Sequence, residues 1–185
     1  MSRRVLNVNI DRKREWRGSD VWRRICKRFM MPNWPQESLR AISDAVPGLC
    51  PTAVAHGKDS SSNGYFFLCS FHNLSSSTNP RDQAAELAKL HSSLSPTGKF
   101  GFHVTTCCGS TQMPNNWEPT WAEFFAKHRL QAILNEDKNR NGVDREIEDL
   151  GKQCVESVVP RLLGGLEIKP VLVHGDLFHA HKTMH

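Results

Sequence analysis

The pattern of apolar and polar positions divides the first half of the chain into one helix and two strands. Residues 35–46 carry apolar side chains at helical spacing between two prolines, which predicts a short helix. Residues 52–55 and 65–71 are apolar runs of strand length, and the second run is expected to be central in a sheet. The Ser- and Gly-containing residues 60–64 predict a hairpin-type turn between them.

The second half of the chain is predicted to be mainly helical. Residues 79–92 form a helix that Asn-Pro caps, the capping-box sequence Thr120-Trp-Ala-Glu123 begins another, and residues 143–163 form a third. Residues 95–118 are a long loop of the kind that is often functional, and residues 135–142 are expected to form a turn.

Each of these helices has an apolar face that is expected to pack into the core. His91 ends the face of the first long helix and is expected to be packed and hydrogen-bonded rather than to bind a ligand. The aromatic stripe of the next helix is more typical of a core than of a stacking platform. The expected core positions of the helices are Leu39, Ile42, Val46, Ala84, Leu87, Ala88, Trp121, Phe124, Phe125, His128, Ala132, Ile147, Leu150, Cys154, Val158 and Leu162.

The composition is that of an ordinary soluble domain. The chain has 185 residues, 38% of them hydrophobic, and a mean hydropathy of -0.49. It has no apolar run of the roughly 20 residues that a membrane helix needs, and its N-terminus lacks the apolar segment of a secretory signal. Six cysteines without C-x-x-C spacing indicate free, buried thiols. We therefore expect a cytoplasmic protein without a membrane partner.

The positive charge is concentrated at the N-terminus. Residues 1–36 hold ten Lys or Arg and three Asp or Glu, while the rest of the chain has a small acidic excess. Such an arm can bind nucleic acid or a membrane surface, or resemble a mitochondrial address. Acidic residues interrupt it, however, and residues 1–34 show neither strand alternation nor a Gly-rich loop. We expect a basic, poorly ordered arm over residues 1–34 and no nucleic-acid partner.

A carboxylate follows the last apolar run of the chain. Residues 171–173 are expected to form a short strand, and His174-Gly175-Asp176 follows it. Glycine permits a sharp backbone turn, so Asp176 would be held at the tip of the strand. A general base for phosphoryl transfer requires this placement. A common Asp-containing turn is the alternative, and the tripeptide alone does not exclude it.

The elements occur in the order of a two-lobed kinase, in which a mainly β lobe with one helix precedes a helical lobe with the catalytic loop. Several short motifs lie in one order between residues 37 and 177. They are Glu37-Ser-Leu, Leu87-Ala-Lys-Leu-His91, Gly98-Lys-Phe-Gly-Phe102, Gly109, Gln112, Asn116-Trp117, Trp121-Ala-Glu-Phe-Phe125, Arg129-Leu130, Val158-Val-Pro-Arg-Leu-Leu163 and Leu172-Val-His-Gly-Asp-Leu177. With this ordered set the chain resembles the fructosamine kinase family, which comprises ketosamine-3-kinases and protein-ribulosamine 3-kinases. Several segments are most similar to fungal members.

The resemblance implies an α+β, protein-kinase-like (aminoglycoside-phosphotransferase-like) fold of two lobes. Residues 35–74 would belong to the small lobe and residues 75–185 to the large lobe. The glycine-turn hairpin that covers the nucleotide is not recognisable in the sequence, and the chain ends soon after the Asp of the catalytic loop. We therefore expect a fold that is incomplete at both places, as in a truncated member.

The resemblance also implies the chemistry. A family member uses ATP and Mg²⁺ to phosphorylate the sugar 3-hydroxyl of ketosamines, ribulosamines or fructosamines, on glycated protein lysines. Asp176 would accept or orient the hydroxyl proton, with His174 and Gly175 supporting it. Glu37 would pair with a small-lobe lysine that holds the phosphates, for which Lys27 is the best candidate, although its neighbours do not resemble a strand. The hinge that contacts the nucleotide is expected at Phe67, Leu68 and Cys69.

The sequence departs from the family just after Asp176. The family continues with Trp-x-Gly-Asn, whose Asn binds magnesium, whereas this chain has Phe178-His-Ala-His181, and the further magnesium-binding Asp has no counterpart before His185. We therefore expect weak or absent activity, and a non-catalytic kinase-like fragment or pseudokinase is the alternative. A truncated or mis-spliced reading frame would explain the change.

The three histidines 179, 181 and 185 could in principle bind a transition metal, since imidazole suits such ions. A frayed tail provides no groups to orient the rings, so we expect no metal site there.

Overall fold

The structure is a computed structural model. It describes residues 33–59, 64–70, 79–109 and 111–175, and the backbone of residues 21–26.

A three-stranded antiparallel sheet carries the first part of the chain. Its strands are β1 (Val21–Cys26), β2 (Ala53–Asp59) and β3 (Gly64–Ser70), in the order β1-β3-β2. The central position of β3 confirms the prediction from its apolar run. The expectation that residues 1–34 contain no strand was wrong for β1, because the arginines and the large apolar side chains of Val21–Cys26 do not alternate cleanly, yet β3 pairs with all six residues.

Helix α1 (Trp34–Ala45) follows β1 and confirms the predicted helix. Pro35 lies in its first turn, where the missing N–H costs nothing, and Glu37 lies there too, where the helix dipole favours a carboxylate. Ile42 is buried on the face toward the core, and the buried Val46 ends the helix.

Helix α2 (Pro80–Leu90) is capped as predicted, since the Asn79 side chain accepts a hydrogen bond of 3.0 Å from the Arg81 N–H. The buried residue of this helix is Leu90, which is completely inaccessible to solvent. The packed environment expected for His91 was wrong, because His91 is the C-cap that follows the helix and it is exposed. Ala84 and Ala88 of the predicted core face are exposed too.

One apolar cluster joins α1, α2 and the end of the described chain. Ile42, Val46 and Leu90 form its buried centre, and Leu172 packs against them. The strand predicted over residues 171–173 is reduced to a single bridge between Val171 and Leu94. Two backbone hydrogen bonds hold this segment to residues 93–95, from Leu172 N to the Ser93 carbonyl and from Ser95 N to the Pro170 carbonyl, both 2.9 Å long.

The long loop predicted over residues 95–118 contains a short antiparallel hairpin of β4 (Thr106–Cys108) and β5 (Thr111–Met113). Gly101 has φ +152° and lies so close to the Asn115 carbonyl and Trp117 that a Cβ atom would be 2.8 Å and 2.9 Å from them. Only glycine therefore fits at this point of the loop.

The helix that the Thr120 capping box begins is longer than predicted. It comprises α3 (Trp121–Phe125), a π-helical segment (Ala126–Leu130) and α4 (Gln131–Asn141). The turn predicted over residues 135–142 was wrong, because polar side-chain pairs four residues apart stabilise the helix as far as Gly142, whose φ of +89° ends it. Phe124 is buried at 5% exposure, as predicted for the aromatic stripe, whereas Trp121, Phe125, His128 and Ala132 are only partly buried.

The last helix comprises α5 (Arg145–Gln153), a π-helical segment (Cys154–Val158) and α6 (Val159–Leu163). The buried positions are Gly151, against Leu134, and Val159. The inward face predicted for this helix was wrong, because the contact centres on a glycine that lets two helices approach closely, and not on the large apolar side chains. Most of the predicted residues are exposed: Ile147 by 42%, Leu150 by 54%, Val158 by 44% and Leu162 by 67%.

Among the described residues, none of the helices has the length and apolar character that a membrane span requires.

Glu118 fastens the loop to the π-helical turn that follows α3. Its carboxylate accepts hydrogen bonds from Lys127 Nζ at 2.9 Å and His128 Nε2 at 3.0 Å, and its backbone pairs with Phe100 in both directions. The hydrogen bonds from Lys127 and His128 lower the pKa of Glu118 below its ordinary value of 4.5.

We expect Leu90→Ala to lower the free energy of unfolding by about 2–5 kcal/mol, because it leaves a cavity in the shared apolar cluster. Leu94→Ala is the matched control, since Leu94 is 65% exposed, and should change stability by less than about 0.5 kcal/mol. Urea unfolding measures both values. Equal losses in the two variants would contradict the placement of the core at Leu90.

We expect the stabilising effect of Glu118 to depend on pH. A carboxyl whose folded pKa is lowered stabilises the protein above its unfolded pKa, and this stabilisation is lost as pH falls through the folded value. Glu118→Gln should therefore lower the melting temperature by a few degrees at pH 7, and the difference should shrink below about pH 4. Melting curves across this range measure it. A difference in melting temperature that stays constant down to pH 3 would contradict a stabilising role of the Glu118 charge.

Candidate active site

Glu37 lies between two cationic or hydrogen-bonding partners. Its Oε2 accepts a hydrogen bond from His103 Nε2 at 3.1 Å, and its Oε1 is 3.4 Å from Arg40 NH1. The carboxylate is one-quarter exposed, whereas about half of each partner side chain is exposed. The loop before β4 thus contacts Glu37 of α1 through His103.

Lys27, the predicted partner of Glu37, lies outside the described residues. It follows Cys26, the last residue of β1, whose partner on the central strand is Tyr65. No strand was expected before Lys27, whereas β1 extends to Cys26. The pairing of Lys27 with Glu37 stays a prediction.

The predicted hinge residues Phe67, Leu68 and Cys69 lie inside β3. Each of them pairs with a residue of β1 and with a residue of β2, so both edges of the strand are occupied by neighbouring strands. The structure therefore places these residues within the central strand and not at its exit. Their contact with a nucleotide stays a prediction, and residues 71–78, which follow β3, are outside the described part of the chain.

The segment that leads to Asp176 is fixed as far as Gly175. Leu172 packs into the apolar cluster, His174 is exposed, and Gly175 has φ +79°, in the left-handed region that glycine adopts without strain. Asp176 itself lies outside the described residues, so its role as general base stays a prediction.

Asn115 and Arg129 form a partly buried polar network that no pattern in the sequence predicted. Asn115 is 4% exposed, and its Nδ2 donates to the Val104 carbonyl at 2.9 Å and to Thr106 Oγ1 at 3.0 Å. Arg129 NH2 donates to Asn115 Oδ1 at 2.7 Å, and Arg129 NH1 donates to the Pro114 carbonyl at 2.8 Å. The guanidinium also lies 4.5 Å from the centre of the Phe124 ring.

This network is costly to bury and therefore depends on its partners. Burial lowers the pKa of Arg129, yet a guanidinium stays protonated in proteins, so its charge must be compensated by carbonyl acceptors and the aromatic face. The sequence contained part of the signal, since Arg129 and Asn116 belong to the family motifs. Asn116 is exposed, however, and its neighbour Asn115 is the buried residue.

A second contact that the sequence did not reveal joins α1 to the sheet. Gln36 is 7% exposed, and its Oε1 is hydrogen-bonded to His56 Nδ1 of β2. The buried amide oxygen of Gln36 thus finds its hydrogen-bond partner on a strand twenty residues later, which no local pattern predicts.

The described residues do not form a metal site by themselves. They contain no group of three or more His, Cys, Asp or Glu side chains that could hold a metal ion. Of the residues predicted to contact ATP, Lys27 lies outside the described ranges, whereas Glu37 and the hinge residues 67–69 lie within them.

None of the three cysteines whose pKa is shifted is an activated nucleophile. Burial raises the pKa of Cys50, Cys69 and Cys107, so these thiols stay protonated at neutral pH. The five cysteines whose side chains are described are free, as predicted. The expected burial was not found, because four of them are only partly buried and Cys108 is exposed.

Comparison with known proteins identifies the family. Residues 26–184 match the family described as fructosamine kinase. The chain is 40% identical over 80 residues to a mouse ketosamine-3-kinase, a match that covers 43% of this chain and 25% of that protein. It is 38% identical over 100 residues to a chloroplastic protein-ribulosamine 3-kinase of Oryza sativa subsp. indica, covering 52% of this chain and 29% of the relative.

A solved structure shows the same fold. It is described as a putative fructosamine-3-kinase from Haemophilus somnus 129PT, and it is similar with a TM-score of 0.58 and 23% identity over 86% of this chain and 53% of that chain. The matched part thus spans about half of that structure and less than a third of the two relatives. The fold is α+β and protein-kinase-like, and the chain belongs to the fructosamine kinase family.

Proposed function

We propose that this protein is an ATP-dependent kinase that phosphorylates the sugar 3-hydroxyl of ketosamines on glycated protein lysines. The observation that carries the proposal is the match to the fructosamine kinase family over residues 26–184, because this range includes Lys27, Glu37 and Asp176 in the order that the family uses. The names of the relatives, ketosamine-3-kinase and protein-ribulosamine 3-kinase, support the substrate class.

The proposed roles follow from the charge that phosphoryl transfer must manage. Asp176 accepts or orients the proton of the sugar hydroxyl, whose oxygen forms the new bond to the γ-phosphorus of ATP while ADP leaves. Lys27 binds the phosphates, and Glu37 orients Lys27. Magnesium would supply positive charge that neutralises the phosphates.

The local structure supports this arrangement in two places. Strand β1 ends at Cys26, directly before Lys27, and α1 presents Glu37 in its first turn. The positive φ of Gly175 gives the chain a sharp change of direction directly before Asp176.

We further propose that the turnover of this chain is low. His181 stands where the family has a magnesium-binding Asn. Magnesium prefers oxygen ligands in near-octahedral geometry, and an imidazole nitrogen is a poor substitute. The same departure favours the second candidate function, a non-catalytic kinase-like protein.

We predict that His181→Asn raises the rate of ADP formation roughly tenfold or more, because loss of a direct metal ligand costs at least as much as loss of its supporting groups, which is about 10–100-fold. The assay contains ATP, Mg²⁺ and either ribulosyl-lysine or fructosyl-lysine. Asp176→Asn is the matched control and should abolish the sugar-dependent rate in both backgrounds.

Each outcome of this assay decides between the candidates. A rate that remains after Asp176→Asn would refute the role of Asp176 as general base. Sugar-dependent ADP formation that is absent from the wild type and from His181→Asn would instead leave the non-catalytic protein as the function. High wild-type turnover that Asp176→Asn abolishes would keep the kinase and contradict the low rate.

A further inference from the structure

The histidine that contacts Glu37, His103, lies between two residues that are both hydrogen-bonded to Asn115. Asn115 accepts the Phe102 N–H with its backbone carbonyl at 2.9 Å and donates its side-chain amide to the Val104 carbonyl at 2.9 Å. These bonds fix the residues directly before and after His103. The Phe102 ring, 4.4 Å from the imidazole between centres, further limits the orientation of the His103 ring.

Asn115 is itself anchored to the long helix. Arg129, in the π-helical segment after α3, donates to Asn115 Oδ1 and lies over the buried ring of Phe124. Because Asn115 and Phe124 are both less than one-tenth exposed, this part of the network moves little relative to the helix. A continuous path of direct contacts therefore runs from the long helix to the carboxylate of α1.

The contact between His103 and Glu37 contributes little to folding. Half of the imidazole is exposed, and exposed pairs of this kind stabilise proteins only slightly. The second partner of Glu37, Arg40, is a poorer constraint, since its distance of 3.4 Å is at the limit of a hydrogen bond and its side chain is 57% exposed. The orientation of the Glu37 carboxylate therefore depends chiefly on His103 among its described partners.

We propose that His103 is a positioning residue, which orients the Glu37 carboxylate so that it can hold the nucleotide-binding lysine in place. This inference rests on the proposed kinase function, because it assigns to Glu37 the role of ordering a phosphate-binding lysine. Its consequence is that nucleotide affinity depends on a donor at the Nε2 position of residue 103, although residue 103 does not touch the nucleotide.

The test measures binding of a fluorescent ATP analogue in the presence of Mg²⁺ to the full chain. We expect His103→Ala to weaken binding about three- to tenfold, the effect of losing one charge-assisted hydrogen bond that orients the site. The melting temperature should change by less than about 2 °C, because the pair is exposed. His91→Ala removes another exposed histidine and is the matched control, with unchanged binding expected.

Two isosteric variants separate positioning from a general structural role. Glutamine can place an amide N–H close to the position of Nε2, and asparagine close to that of Nδ1. His103→Gln should therefore bind within about twofold of the wild type, and His103→Asn should resemble His103→Ala. Glu37→Gln should also weaken binding, and adding His103→Ala to it should cause no further loss, because both changes remove the same interaction.

Two results would overturn the inference while leaving the kinase intact. They are wild-type affinity in His103→Ala, and losses in His103→Ala and Glu37→Gln that add up in the double variant. If the wild-type protein binds no nucleotide at all, the proposed function fails, and the role of His103 fails with it.

Discussion

The buried hydrogen bonds of Asn115 are the constraint on which the candidate site depends. A loop without long strands leaves many of its backbone groups without strand partners, and Asn115 serves three groups of the loop. Its side-chain amide donates to the Val104 carbonyl and the Thr106 hydroxyl, and its backbone carbonyl accepts the Phe102 N–H. Such a group is costly when it is only partly paired, so Arg129 must complete it, and the Phe124 ring and the Pro114 carbonyl must in turn accommodate the guanidinium. The shape of the loop is therefore determined by the helix that follows it in the chain.

A second connection joins the same regions through apolar contact. Ile42 and Val46 at the end of α1 share one cluster with Leu90 and Leu172, and Leu172 lies four residues before Asp176. The hydrophobic effect in such a cluster is strongly stabilising but non-directional. It therefore keeps α1 and the segment 170–175 packed together without orienting any polar group. Helix α1, which carries Glu37, and the segment that ends at Gly175 thus share one core.

The sequence predicted those parts of the structure that local signals specify. Helices α1 and α2, the caps at Asn79 and Thr120 and the central strand β3 were all predicted, because proline, capping side chains and apolar runs act over a few residues. Strand β1 was missed since pairing with β3, and not its own pattern, makes it a strand. The exposed face of α5 and α6 was mispredicted because Gly151 sets their packing. His103 and Asn115 could not be found, because their importance arises from partners that are distant in sequence.

The apolar and the polar connection differ in what a change in each would do. Loss of an apolar side chain from the cluster lowers the stability of the whole arrangement, and every function of the chain falls with it. Loss of the His103 contact removes an exposed hydrogen bond that stabilises the fold only slightly, but that we propose to set the direction of the Glu37 carboxylate. Because orientation is what phosphoryl transfer requires of its charged groups, a contact that is nearly neutral for folding can be decisive for binding a nucleotide. The hydrogen bonds of Asn115 to the residues on both sides of His103 fit the same argument. A flexible loop could provide the same hydrogen bond to Glu37, but not a defined direction for it.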